Sequence, residues 1–268
     1  MICKNCKRLL PNQINYCTDC GAKVIRNRLT LRNLFDDFNQ HFLNYDNTFL
    51  KTLIHLFTKP EAVIDSYING TRKKYVNAIG YFTIALTFAG LQMYIINKFF
   101  PDALDFSTYN PNSSELETQT QNKIIEYTRE YQSIIMMFYI PIYALISKIT
   151  FFNIKKYNYT EHLVVYMYTQ AQVTIVGFVF TIGALLLGMP FMFIGFLMLP
   201  LMVIYIAYCL KRLYNLNIKG IILRTLFFGF ILGVLLIVFT ALFMGIYLYN
   251  GGFETIKEVA KEAQKVNS

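Results

Sequence analysis

The chain has 268 residues, of which 55% are hydrophobic and only 15% charged, and its mean hydropathy is +0.38. Soluble globular domains carry about 25% charged residues, so this composition excludes an ordinary soluble protein, and only five cysteines in the chain exclude a secreted disulfide scaffold. Lys and Arg exceed Asp and Glu by 25 to 16, a net charge of +9, split as +6 over residues 1–76 (12 against 6) and −4 over residues 102–130 (2 against 6). Such a partition fits Lys and Arg collecting in short loops on the cytoplasmic side of a bilayer, not a uniformly basic face for nucleic acid, and no nucleic-acid partner is expected.

The N-terminus reads Cys3-Lys-Asn-Cys6 and, ten residues later, Cys17-Thr-Asp-Cys20-Gly21. Each C-x-x-C turn points two thiolates at one ion, and four thiolates complete the tetrahedron that Zn²⁺ accepts at about 2.3 Å per bond. Gly21 suits the residue after the second cysteine, which must take positive φ so that backbone N–H groups reach sulfur. Residues 1–26 are therefore read as a zinc ribbon, a structural Zn²⁺ site with ligands Cys3, Cys6, Cys17 and Cys20. An iron centre and a redox dithiol pair are the alternatives for the same sulfurs. So short a segment has no core of its own, and bound metal would contribute on the order of 10 kcal/mol to its folding. Reduced cysteines agree with a cytoplasmic N-terminus, and the fifth, Cys209, reads as a small packing residue.

Residues 27–76 form the next segment. Leu31, Leu34, Phe35, Phe38 and Phe42 fall at helical spacing after Thr30, which predicts an amphipathic helix. Asp37 and His41, four apart, share a face that can hold a metal or relay a proton; the alternative is a solvated face. Thr48 to Phe57 is too short to span and suits an interfacial or re-entrant helix. Pro60-Glu61 opens a third helix that Gly70 ends. All three are expected along the inner membrane surface, with Arg72, Lys73 and Lys74 as candidate contacts for lipid headgroups.

The stretch Pro60-Glu-Ala-Val-Ile64-Asp-Ser-Tyr67-Ile-Asn-Gly70-Thr-Arg72-Lys73-Lys74-Tyr75-Val76, behind an N-terminal C-x-x-C pair, resembles a bacterial domain-of-unknown-function family of membrane proteins with an N-terminal zinc ribbon. The resemblance covers roughly residues 1–90 and, more loosely, Glu161-His162. It implies a shared architecture and no activity.

Five stretches qualify as spans, since crossing roughly 30 Å of hydrocarbon takes about 20 apolar residues. They run from about Ile79 to Phe99, Ser133 to Phe152, Leu163 to Gly188, Phe191 to Leu210 and Ile221 to Tyr249. Basic clusters precede the first (Arg72, Lys73, Lys74), separate the second from the third (Lys155, Lys156) and the fourth from the fifth (Lys211, Arg212, Lys219), and so alternate for one side. The predicted fold class is an all-α polytopic membrane protein: ribbon, juxtamembrane helical segment, a bundle over 77–250 and a polar tail over 251–268. Its predicted place is a bacterial cytoplasmic (inner) membrane, N-terminus inside and C-terminus outside. No apolar run in the first 30 residues resembles a cleavable signal, and span one reads as the insertion signal.

Within the membrane, Glu161 and His162 are the candidate polar site. The alternatives are a carboxylate favoured by the helix dipole and a histidine reaching headgroups. Gln92, Gln170 and Gln172 read as interhelical hydrogen-bonding groups. Gly229 and Gly233 permit either close packing within the chain or a homo-oligomer contact. With three histidines and no H-E-x-x-H, G-x-S-x-G or phosphate-binding loop, an enzyme is not expected. The leading expectation is an adaptor, scaffold or regulatory membrane component with a protein partner for its ribbon, and the alternative is a transporter, channel or lipid-handling protein.

Overall fold

The computed structural model describes residues 2, 3, 5–11, 14–22, 24, 48–104, 121 and 131–247. The predicted helix after Thr30, with Asp37 and His41, lies outside the described residues, as does the tail. The chain divides into two compact units, residues 1–48 and 49–268.

In the first unit, Cys3, Leu10 and Cys17 are buried, with Ile14 and Val24 packed against them. An antiparallel bridge joins Ile2 and Leu9, Tyr16 is a further bridge residue, and no longer strand occurs among the described residues. The unit is organised by turns around sulfur, not by a sheet.

Every regular element among the described residues of the second unit is a helix. Two short helices, α1 (Thr48–Thr58) and α2 (Pro60–Ile68), precede α3 (Ala78–Phe99), and a 3₁₀ turn follows at Pro101–Leu104; then come α4 (Gln132–Thr150), α5 (Tyr159–Leu186), α6 (Phe191–Tyr214) and α7 (Ile218–Tyr247). Local chemistry sets most boundaries. Pro60 opens α2, where a missing N–H costs nothing. Asn77 caps α3 by accepting from the Gly80 N–H at 2.7 Å, and Gly188, at φ 79°, turns the chain out of α5.

Four helices are long and apolar enough to cross a membrane: α3, α5, α6 and residues Ile218–Leu242 of α7. Five were expected, and α4 is the difference, because its apolar part, Ile134–Thr150, is shorter. Non-helical Tyr131 and Phe151 bound it. At 19 residues it rises about 28 Å, just under the hydrocarbon thickness.

Helix directions follow from side-chain pairs. Tyr81 meets Gln172, Phe88 meets Phe178, and Ile96 packs with Ala184 and Leu185, so α3 and α5 run parallel. Against α5, α4 runs antiparallel (Met136 to Thr174, Tyr143 to Tyr166, Phe151 to His162), and so does α6 (Ile194 with Leu185, Tyr214 with His162). Helix α7 returns along α4, with Arg224 at Thr150 and Phe228 at Tyr143. The three basic clusters thereby reach one end of the bundle, where Arg212 pairs with Glu61 and Lys156 with Asp65.

Burial separates centre from rim: 39% of the most apolar window of α5 is buried, against 6% for α7. Leu223, Leu226, Phe230, Ile237 and Phe239 of α7 are exposed. In water, leaving each side chain out would forgo roughly 1.5–3 kcal/mol; a lipid surround removes that penalty. A Cβ added at Gly229 or Gly233 would meet nothing within 4 Å, so among the described residues no helix closes on that pair.

The C-terminal half of helix α1 docks against the bundle. The carbonyls of Leu53, Leu56 and Phe57 accept from Gln172 Nε2 (3.0 Å), Tyr205 Oη (3.2 Å) and Tyr208 Oη (2.9 Å). On its other side Thr52 Oγ1 accepts from the Val76 N–H at 3.0 Å, and His55 Nδ1 lies 2.8 Å from the Tyr75 hydroxyl. A helix end leaves its last carbonyls, here those of Leu56 and Phe57, without intrahelical partners, and apolar surroundings make that costly.

Gln172→Leu is expected to strand the buried Tyr81 hydroxyl and lower stability by about 1–3 kcal/mol. Gln170→Leu should cost nothing, because the buried Gln170 Oε1 has no partner among the described residues. Thermal unfolding of both variants in one detergent distinguishes them, and equal melting temperatures would contradict the assignment.

Candidate metal centre and interfacial polar groups

The two C-x-x-C segments fold as matching turns. In the first, the Cys3 N–H donates to Arg8 O at 2.8 Å and the Lys7 N–H to Cys3 O at 2.9 Å; in the second, the Cys17 N–H donates to Ala22 O at 2.8 Å and the Gly21 N–H to Cys17 O at 3.0 Å. The residue after each second cysteine is left-handed, Lys7 at φ 63° and Gly21 at φ 68°. The need for that conformation was legible at Gly21; Lys7 meets it without glycine's freedom, at roughly 1–2 kcal/mol. Arg8 pairs with Asp19 across the two turns.

All four sulfurs lie within 4.8 Å of one another, with Cys3 Sγ 3.7 Å from Cys20 Sγ and Cys6 Sγ 3.5 Å from Cys17 Sγ. No disulfide joins them. A tetrahedron with metal–sulfur bonds of about 2.3 Å has edges near 3.8 Å, so the donor set fits one tetrahedral metal ion. Cys3, Cys6, Cys17 and Cys20 would hold it, and the ion would supply the positive charge that four converging thiolates need. The thiols differ. A hydrogen bond from the Asn5 side chain, then the Ala22 N–H, draws Cys20 down to about 6. At Cys6 the Arg8 N–H acts downward but is outweighed by the neighbouring thiols of Cys17 and Cys20, which push it up to about 12. Binding a cation would release the protons that the thiols still hold.

At the basic end of the second unit, Glu161 and His162 part company. Glu161 completes a capping box: its Oε2 accepts from the Asn158 N–H at 2.7 Å, while Asn158 Oδ1 accepts from the Glu161 N–H at 2.9 Å. His162 turns inward and is 1% exposed, walled by the rings of Phe151, Tyr157 and Tyr214. Its Nε2 lies 3.2 Å from the Tyr214 hydroxyl, and its Nδ1 has no partner among the described residues. The imidazole is enclosed, and no hydrogen bond joins it to Glu161 among the described residues.

Several polar groups went unread in the sequence. Asp65 accepts from the Tyr157 hydroxyl at 2.5 Å, and burial, then Asp65, raises the Tyr157 hydroxyl above its ordinary range. Glu61 accepts two hydrogen bonds from Arg212, which hold its carboxyl below the usual range. Arg72 stacks 4.1 Å over Tyr67; Lys73 is exposed, and Lys74 lies 5.4 Å from the Tyr75 ring. Cys209 is fully buried, in keeping with a packing role.

Together these features define a helical protein of membrane type that carries a four-cysteine cluster able to hold a metal ion. Residues 46–90 match a family described as protein of unknown function (DUF3667), a stretch that takes in α1, α2 and the first half of α3. No curated protein and no solved structure matches the chain.

Lys7→Gly should relieve the left-handed strain and tighten metal binding about fivefold, corresponding to about 1 kcal/mol. Competition with a chromophoric chelator measures it, and weaker binding would mean that the Lys7 side chain contributes something the backbone does not explain.

Proposed function

We propose that this chain is a multi-pass protein of a bacterial cytoplasmic membrane, with a structural Zn²⁺ in a cytoplasmic N-terminal knob that recruits a protein partner as an adaptor, scaffold or regulatory component. The observation that carries the reading is the convergence of Cys3, Cys6, Cys17 and Cys20 on one tetrahedral volume. Four sulfur donors leave no coordination position for water or substrate, which favours a structural ion over a catalytic one. Zinc is preferred over iron and over a redox dithiol because it needs no electron-transfer partner and suits a reducing compartment. The reading assigns the chain no catalysis.

Five crossings, with the N-terminus inside and the C-terminus outside, are supported by the alternating helix directions, α4 included, and by the three basic clusters at one end. The transport alternative has less support, since Glu161 serves a cap and His162 is enclosed by rings. The unfilled face at Gly229 and Gly233 is where a second copy would approach in a homo-oligomer.

Replacing Cys3 and Cys6 together by Ser is expected to remove one equivalent of zinc, read by elemental analysis of purified protein. Partners recovered by crosslinking from native membranes should disappear, while carbonate-resistant membrane association stays intact. Partners retained without zinc would refute the adaptor role, and reporters at the two termini on the same side would refute the odd number of crossings.

A further inference from the structure

Three elements meet around an open cavity of about 340 Å³ at the basic end of the bundle. Its wall includes Tyr67 of α2, Arg72 of the following turn, Ile79 of α3, and Glu161, Val164 and Met167 of α5. Two opposite charges therefore line one apolar-floored space, yet among the described residues Arg72 and Glu161 make no ion pair with each other.

Both charges are held in place. The Arg72 guanidinium lies 4.1 Å over the Tyr67 ring; Tyr67 stands edge-on to Tyr168 at 5.9 Å, and the Tyr168 hydroxyl donates to Val76 O at 2.7 Å. Glu161 is oriented by its capping box through Oε2, and its other carboxylate oxygen accepts no hydrogen bond among the described residues. The cavity opens beside the first turns of α3 and α5, where headgroups meet hydrocarbon in the membrane reading on which this inference rests.

We propose that the cavity binds the phosphoethanolamine headgroup of an amino-phospholipid, with phosphate on Arg72 and ammonium on Glu161. A guanidinium offers paired donors to phosphate oxygens. A primary ammonium has three N–H donors for a carboxylate. A choline headgroup has no N–H to give and is recognised by aromatic faces, but Arg72 already covers the Tyr67 face. An anionic headgroup without an amine would satisfy Arg72 and be repelled by Glu161.

The test uses the full chain in detergent, equilibrated with vesicles of equal parts phosphatidylethanolamine, phosphatidylcholine and phosphatidylglycerol, and counts retained lipids by native mass spectrometry. Phosphatidylethanolamine should exceed each of the others about tenfold, the scale of one charge-assisted hydrogen bond. Glu161→Gln keeps the capping box, since glutamine serves at that position; it should abolish the preference over phosphatidylcholine and raise phosphatidylglycerol. Arg72→Gln should lower retention of all three. Soluble phosphoethanolamine should displace the lipid where phosphocholine at equal concentration does not. No preference in the unaltered protein, or an unchanged ratio in Glu161→Gln at an unchanged melting temperature, overturns the proposal. If Glu161→Gln unfolds, the comparison of the two soluble competitors decides instead. Soluble phosphoethanolamine bound more tightly than phosphatidylethanolamine would identify a free small molecule and overturn the lipid assignment. A protein washed from membranes by carbonate would fail the membrane reading itself, and a retained protein without the preference fails this inference alone.

Discussion

The second unit depends on one side-chain amide. Gln172, fully buried more than three turns into α5, accepts from the Tyr81 hydroxyl at 2.5 Å and donates to the Leu53 carbonyl at 3.0 Å. It therefore joins α5 to α3 and α1 at a depth where no water can substitute. Apolar packing between helices gives little directional preference in lipid, because hydrocarbon tails solvate Leu and Phe as well as another helix does. A polar bond at depth is directional. It selects the parallel register of α3 and α5 from among the slipped alternatives, and it gives α1 a reason to insert its end into the bundle. Tyr205 and Tyr208 extend the same logic to the carbonyls that follow.

The first unit solves its folding problem by other means. Among its described residues the buried set of Cys3, Leu10 and Cys17 is far too small to offset the conformational entropy of ordering them. What remains is electrostatic: four sulfur atoms drawn together by N–H donors and able to surround a cation. Tetrathiol chemistry in one unit and helix packing in the other share no structural principle, which agrees with the division of the chain into two units.

The sequence displayed some of this and hid the rest, for physical reasons. Long apolar runs announce α3, α5, α6 and α7 because hydropathy is additive along a helix. The C-x-x-C spacing announces the cluster because a tight turn is local. Asn158 and Glu161 were legible as a cap in principle, since the box spans three residues; the macrodipole was read and the box was not. Gln172 was legible only as an interhelical donor, because its partners lie 91 and 119 residues away. His162 follows Glu161 in sequence, yet neighbours in a helix point about 100° apart, and rings from α6 and from the turn between α4 and α5 decide its environment. Lys7 was hidden because nothing in its chemistry signals positive φ.

The parallel arrangement of α3 and α5 has a consequence for biogenesis. At roughly 5–20 residues per second of synthesis, Gln172 emerges about 5–20 s after Tyr81 and about 6–24 s after Leu53, 91 and 119 residues upstream of it. During that interval the nascent chain holds an inserted first span and an undocked α1, with polar groups that only a later span can satisfy. Assembly of this bundle therefore closes from the C-terminal side backwards, and a ribosome paused within α5 would leave in the membrane a folding intermediate that lacks its central tie.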